Sequence, residues 1–232
     1  MRFYRGLWFH GSFSLTRIVG LTLALFVCGS LVVFTCSSIG AEPLKTKKKI
    51  LVFGDSLTAG YQLPANSSFP VVLERFLNVR GHPVQVTNAS VSGDTATAGL
   101  ERLEWSLGDG ADLVLLELGA NDMLRGIDVE TTYKALNSIL LKLREKKIPV
   151  LLAGMRASRG LGSEYSNQFD SMYPQLASKH GVRLYPFFLE GVVGRADLNL
   201  PDGIHPNTSG IQLIVEQIGP VVIDMLQKLD DR

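Results

Sequence analysis

Cysteine is nearly missing from this chain. Its 232 residues contain two, Cys28 and Cys36, both close to the N-terminus. Beyond them a disulfide, a thiolate nucleophile and a cysteine metal ligand are all excluded. A domain with a real core does without disulfides even in an oxidising compartment. Histidine is scarce too. His10, His82, His180 and His205 are scattered, and no H-x-x-x-H spacing occurs, so no metal is expected. There is no P-loop and no G-x-G-x-x-G run. Neither sign of charge dominates, with 23 Lys and Arg against 22 Asp and Glu. That balance gives no footing for nucleic acid.

Acidic residues are absent until Glu42, and this absence organises the N-terminus. Arg2, Arg5 and Arg17 precede an uncharged stretch from Ile18 to Ile39, followed by small residues near Ser38-Ile39-Gly40-Ala41. A positive region, an apolar region and then small residues is the layout of an export signal. The uncharged stretch also matches the roughly 20 residues of a membrane-spanning helix. Residues 1–41 therefore read as a cleaved signal peptide or an uncleaved anchor. In both cases the positive flank stays in the cytoplasm and the remainder is exported, to a periplasm or beyond. Neither cysteine follows a pair of small residues, so a lipoprotein site fits poorly. Losing this leader turns the formal charge from +1 into about −2. Residues 42–49, with Lys45 and Lys47-Lys48-Lys49, read as a solvated basic linker, and residues 50–232 as one domain.

What the domain does have is alternation. Ile50–Phe53, Val84–Thr87, Leu113–Leu118, Pro149–Ala153 and Val182–Tyr185 read as strands. Between them, Phe69–Val79, Thr95–Leu107, Val129–Lys147 and Ser163–His180 have helical spacing or composition. Val129, Tyr133, Leu136, Leu140 and Leu143, for example, fall on one face. Pro206–Leu229 closes the chain as a helix that Gly219-Pro220 is expected to kink or split. Strands alternating with helices imply a parallel sheet covered on both faces. Ligands in such sheets sit at the carboxyl ends of the strands. Ser56 follows strand one, Gly93 strand two and Asn121 strand three, while Asp202 and His205 follow strand five. In a flavodoxin-like order 2-1-3-4-5, Gly93 and Asn121 would flank Ser56.

Those residues have matching chemistry. Ser56 needs a base to act as a nucleophile; taken alone, Gly54-Asp55-Ser56-Leu57 could equally cap a helix. His205 is the candidate base. His82 sits in the turn Arg80-Gly81-His82-Pro83, and His180 ends a helix before Gly181, so both have structural explanations. Asp202, three residues before His205, can reach its Nδ1 from a tight turn and hold the tautomer. Asp112, Asp122 and Asp197 are less well placed. An acyl-transfer site also needs donors for a tetrahedral oxyanion. The Ser56 N–H, the Gly93 N–H within Asn88–Asp94, and the Asn121 amide within Gly119-Ala120-Asn121-Asp122 are the candidates. A tight turn at Gly93, with Asp94 capping the next helix, and an Asx-turn at Asn121 are the plainer explanations. The run Gly54-Asp55-Ser56-Leu57-Thr58 lacks the second glycine of the G-x-S-x-G elbow, which sets the α/β-hydrolase family aside.

These four blocks, in this order, resemble the GDSL or SGNH hydrolase family. The likeness spans about residues 50 to 229. Asn88-Ala89-Ser90, Leu118–Gly126, Tyr173-Pro174-Gln175-Leu176 and Pro186-Phe187-Phe188 are similar to the bacterial periplasmic thioesterase I, lysophospholipase and arylesterase subgroup. The resemblance implies a three-layer α/β/α sandwich on a five-stranded parallel sheet, with no cofactor. It implies Ser56, Asp202 and His205 as a triad, and Ser56, Gly93 and Asn121 as an oxyanion hole. The expected activity is hydrolysis of carboxylic esters or thioesters through an acyl-enzyme. The substrate would be a small molecule or a lipid, reached as a monomer with at most transient membrane contact. A carbohydrate deacetylase, an acyltransferase and a catalytically silent binding module are the alternatives. Met155–Gly162, after strand four, departs from the subgroup pattern on the edge where loops set specificity.

Overall fold

The structure is a computed structural model that describes residues 47–108 and 110–231. The expected leader, residues 1–41, lies outside the described residues. Five parallel strands form one sheet: β1 (Lys48–Gly54), β2 (Val84–Asn88), β3 (Leu113–Glu117), β4 (Val150–Ala153) and β5 (Arg183–Tyr185). Their order is β2-β1-β3-β4-β5, as expected from the flavodoxin-like arrangement. β1 begins two residues before the expected boundary because Lys48 and Lys49 already pair with Val84 and Gln85. These lysines belong to the sheet and not to a solvated linker. The Lys49 N–H donates to Asp112 Oδ2 at 2.7 Å, and the Lys48 ammonium lies 3.2 Å from Asp230.

Among the described residues, seven α-helices surround the sheet: α1 (Ser56–Ala59), α2 (Phe69–Val79), α3 (Ala96–Leu107), α4 (Ala120–Leu124), α5 (Val129–Glu145), α6 (Ser163–His180) and α7 (Thr208–Asp230). The chain steps from β1 outward to β2, then back across β1 to β3, β4 and β5. Right-handed crossovers put the helices of those two directions on opposite faces. α2 accordingly packs with α7, while α3, α5 and α6 form a second contiguous layer. The reversal occurs at β1, so the carboxyl ends of β1 and β3 border the crevice where such sheets bind ligands.

Central strands are buried on both faces, which explains the near-continuous apolar runs of β1 and β3. Phe53, Leu115, Leu116, Leu136 and Phe188 are fully enclosed. The buried stripe of α5 includes Thr132, Ala135 and Ile139 as well as Leu136, Leu140 and Leu143; Tyr133 sits at its margin, half-buried. Asp128 caps α5 by accepting from the Thr131 N–H. Thr95, not Asp94, caps α3.

The last helix differs from expectation. α7 starts at Thr208, capped by Asn207, and is neither begun at Pro206 nor split at Gly219-Pro220. Pro220 and Glu216 are both exposed, so the proline lies on the solvent-facing side of the helix, where it disturbs the packed face least. A Cβ on Gly219 would stand 2.3 Å from the Phe76 ring, so α2 and α7 touch there closely. By length and composition α7 could cross a membrane, yet Ile211, Ile214, Val215, Ile218 and Val222 are buried in the core.

Candidate active site

β1 delivers Ser56. The strand ends at Gly54, and Asp55 caps α1 by accepting the Leu57 N–H at 3.0 Å, which makes Ser56 the first residue of the helix. Asp55, not Ser56, is thus the capping residue. Gly54 is set by close approach: a Cβ there would lie 2.3 Å from Thr58 Oγ1 and 2.6 Å from the Glu117 carbonyl oxygen.

The loop after β5 delivers the base. A short bridge between Asn199 and Pro206, with Leu200 N–H donating to the His205 carbonyl at 2.8 Å, folds this segment back on itself. Asp202 Oδ1 accepts the N–H groups of Ile204 and His205 at 2.9 and 3.0 Å. Its Oδ2 lies 2.8 Å from His205 Nδ1. The backbone N–H of His205 is the largest of several donors that hold the Asp202 carboxyl down at about 2. A carboxylate is acceptor-only, so His205 carries its proton on Nδ1 and leaves Nε2 as an acceptor. Nε2 stands 2.9 Å from Ser56 Oγ, which donates to it. The Tyr61 ring lies tilted against the imidazole, with centroids 4.5 Å apart. The other acids are engaged elsewhere. Asp197 pairs with Arg195, Asp112 holds β1, and Asp122 accepts from the Ala96 N–H and the Thr132 hydroxyl.

Two backbone donors stand ready beside this relay. Neither the Ser56 N–H nor the Gly93 N–H has a protein acceptor among the described residues. Gly93 has φ +88°, a region L side chains avoid, so glycine is needed to turn the loop there. Two arginines fasten that loop. Arg125 donates to the Gly93 carbonyl at 2.7 Å. Arg102 pairs with Asp94, donates to the carbonyls of Ala89 and Gly54, and lies 4.2 Å over the Phe53 ring. Asn121 occupies the second position of α4, a short helix and not a bare turn. Its Nδ2 protons are both engaged, with Asp55 Oδ2 at 3.1 Å and the Asp94 carbonyl at 3.0 Å. These acceptors belong to the residues adjoining Ser56 and Gly93, so the Asn121 amide is held next to both segments.

Sequence reasoning missed the layer beneath. Asp55 and Glu117 are both fully enclosed. Burial pushes the Asp55 carboxyl up to about 6. Burial, together with the neighbouring Asp55 charge, holds Glu117 well above the usual carboxylate range. The departing loop Met155–Gly162 is pinned from several sides. Arg156 lies 3.7 Å from Glu190 and over the Phe187 ring, and the Ala157 N–H donates to Asp170 at 2.7 Å.

A strand-end serine, an imidazole on its oxygen and a carboxylate on the imidazole, set on a doubly wound sheet, define a serine-hydrolase class of site. Residues 52–213 match the model of the GDSL-like lipase/acylhydrolase family, and the chain belongs to that family. It is 38% identical over 198 residues to an arylesterase of Vibrio mimicus, covering 85% of this chain and 98% of that one. It is 36% identical over 178 residues to thioesterase 1/protease 1/lysophospholipase L1 of Escherichia coli K12, covering 75% and 84% respectively. The crystal structure of AlinE4, an SGNH-hydrolase family esterase, superposes with a TM-score of 0.66 at 43% identity, over 78% of this chain and 97% of that one.

Proposed function

We propose that this protein is an esterase that hydrolyses carboxylic esters or thioesters through an acyl-enzyme on Ser56. The observation that carries the reading is the continuous relay from Asp202 Oδ2 through His205 to Ser56 Oγ, at 2.8 and 2.9 Å, beside two unpartnered backbone N–H groups. In the first step His205 Nε2 takes the Ser56 proton as Oγ attacks the carbonyl carbon. The negative charge moves to the carbonyl oxygen, where the Ser56 and Gly93 N–H groups and the Asn121 amide receive it. His205 then gives its proton to the departing alcohol or thiol. Water, deprotonated by His205, attacks the acyl-enzyme and releases the acid. Asp202 stays ionised throughout and stabilises the imidazolium. The relatives named for arylesterase, thioesterase and lysophospholipase activity support a small ester or a lipid ester as the substrate class.

The leader supports export, by cleavage near Ala41 or as an anchored form; the mass of the exported protein separates the two. A panel of aryl esters, acyl thioesters and lysophospholipids tests the activity. Turnover of at least one class, abolished in Ser56→Ala, is expected. Activity that survives that substitution contradicts the reading.

A further inference from the structure

The buried pair beneath Ser56 takes no part in the proton relay. Glu117 ends β3, directly paired in register with Gly54 of β1. Its Oε2 accepts from the Asp55 N–H at 3.4 Å and from the Thr58 hydroxyl at 3.3 Å. Its Oε1 is buried and has no hydrogen-bond partner among the described residues. No Lys or Arg among the described residues forms an ion pair with either carboxyl. The Arg102 guanidinium donates to the Gly54 carbonyl instead. Both carboxyls are fully enclosed, and burial raises Glu117 well above the usual carboxylate range. Asp55 then presents a fixed acceptor: Oδ1 to the Leu57 N–H and Oδ2 to Asn121 Nδ2.

We propose that Glu117 is a positioning residue for the hydrolysis: its Oε2 accepts the Asp55 N–H and the Thr58 hydroxyl, and by holding Asp55 in place it sets the orientation of the Asn121 amide. This rests on the esterase reading above. Stability alone gives no reason for an acid here. A well-packed apolar side chain in place of a buried ionisable group is often neutral or stabilising. The arrangement is instead what a preorganised donor needs, since its rotamer must be locked by a supporting layer. The size of the effect is bounded. It cannot exceed the loss of the whole Asn121 donor, about 10²–10³ in rate. A displaced amide sits below that ceiling, so about 10–100-fold in kcat is expected.

The test is a double-mutant cycle on the full chain, with kcat and KM measured on an aryl ester that the wild type turns over and Ser56→Ala does not. Glu117→Leu should fold, lower kcat about 10–100-fold and leave KM within about twofold. The same substitution in an Asn121→Ala background should lose less than about threefold more, because residues that act through one group are not additive. Glu117→Gln retains a side-chain oxygen that accepts from the Asp55 N–H and should stay within about threefold of the wild type. Equal losses from Glu117→Leu in both backgrounds overturn the proposal, as does wild-type turnover in Glu117→Leu. A folded Glu117→Gln that is as slow as Asn121→Ala overturns it independently, even if Glu117→Leu does not fold. A wild type that turns over no ester, or a Ser56→Ala that still does, refutes the esterase reading instead.

Discussion

Truncating Asn121 to Ala separates two consequences that the structure keeps distinct. One is catalytic. Removing an oxyanion donor costs about 10²–10³ in kcat, or about 2.7–4 kcal/mol of transition-state stabilisation. Both Asn121 protons are already committed, to Asp55 Oδ2 and the Asp94 carbonyl. An oxyanion must therefore draw one of them away from an existing bond, while the Ser56 and Gly93 N–H groups have nothing to give up. That exchange puts the expected loss at the lower end, near about 10². The other consequence is structural. Asp55 is fully enclosed and would lose one donor, a cost of about 1–3 kcal/mol. For a domain of this size each kcal/mol moves the melting temperature by about 2–4 °C, so a fall of about 2–12 °C is expected. Steady-state kinetics on a chromogenic aryl ester reads the first effect and a thermal melt reads the second. Turnover within about threefold of the wild type, in a protein whose melting temperature has fallen, would refute Asn121 as an oxyanion donor while leaving its structural bonds intact.

Other perturbations follow from the same geometry. Asp202→Asn offers an amide that can donate to Nδ1 and hold the wrong tautomer, so kcat should drop by about 10⁴ with little change in melting; a loss under tenfold would detach Asp202 from the relay. Because the Asp202 carboxyl is held at about 2, its contribution is complete above the ordinary 3.8 and disappears only as pH falls through about 2. An acid limb of kcat above pH 4 therefore belongs to another group and should keep its position when the pH profile is followed down to pH 4. Asp55 carries the opposite sign. Its pKa is raised by burial from 3.8 to about 6, so its stabilising contribution is full below 3.8 and is lost as pH rises through about 6. Urea melts between pH 4 and 7 should show the wild type losing stability relative to Asp55→Asn across that window, and parallel curves would contradict the raised value. Gly54→Ala drives a Cβ to within 2.3 Å of Thr58 Oγ1 and should destabilise the fold by about 1–3 kcal/mol or more while disturbing Ser56. An unchanged melt with full activity would show that the turn has room to spare.

The frame and the placement of the candidate residues were legible in the sequence for a physical reason. A parallel sheet buries its strands on both faces, so β1 and β3 stand out as apolar runs. The chemistry then has to lie on the loops at one edge, which is where Ser56, Gly93, Asn121, Asp202 and His205 are found. Other features were hidden for equally physical reasons. Pro220 looks like a helix breaker, but a proline on the solvent-facing side lets the helix continue. Glu117 falls inside the apolar run Leu113–Leu118 and carries no signal of its own; only the register that pairs it with Gly54 shows that it lies beside the turn that bears the nucleophile. Arg102 looks like a surface residue of an amphipathic helix. Its partners are carbonyls at the ends of β1 and in the Gly93 loop, distant in sequence and joined only by the fold. The short helices α1 and α4, of four and five residues, carry too little periodicity to be read in advance.

The most direct test of the central claim is covalent. A fluorophosphonate delivers a tetrahedral phosphorus to an activated serine, and peptide mass spectrometry locates the adduct. One adduct is expected, on Ser56, formed rapidly in the wild type, sharply slowed in His205→Ala and missing in Ser56→Ala. An adduct on another residue, or ester turnover that outlives complete labelling of Ser56, would contradict it.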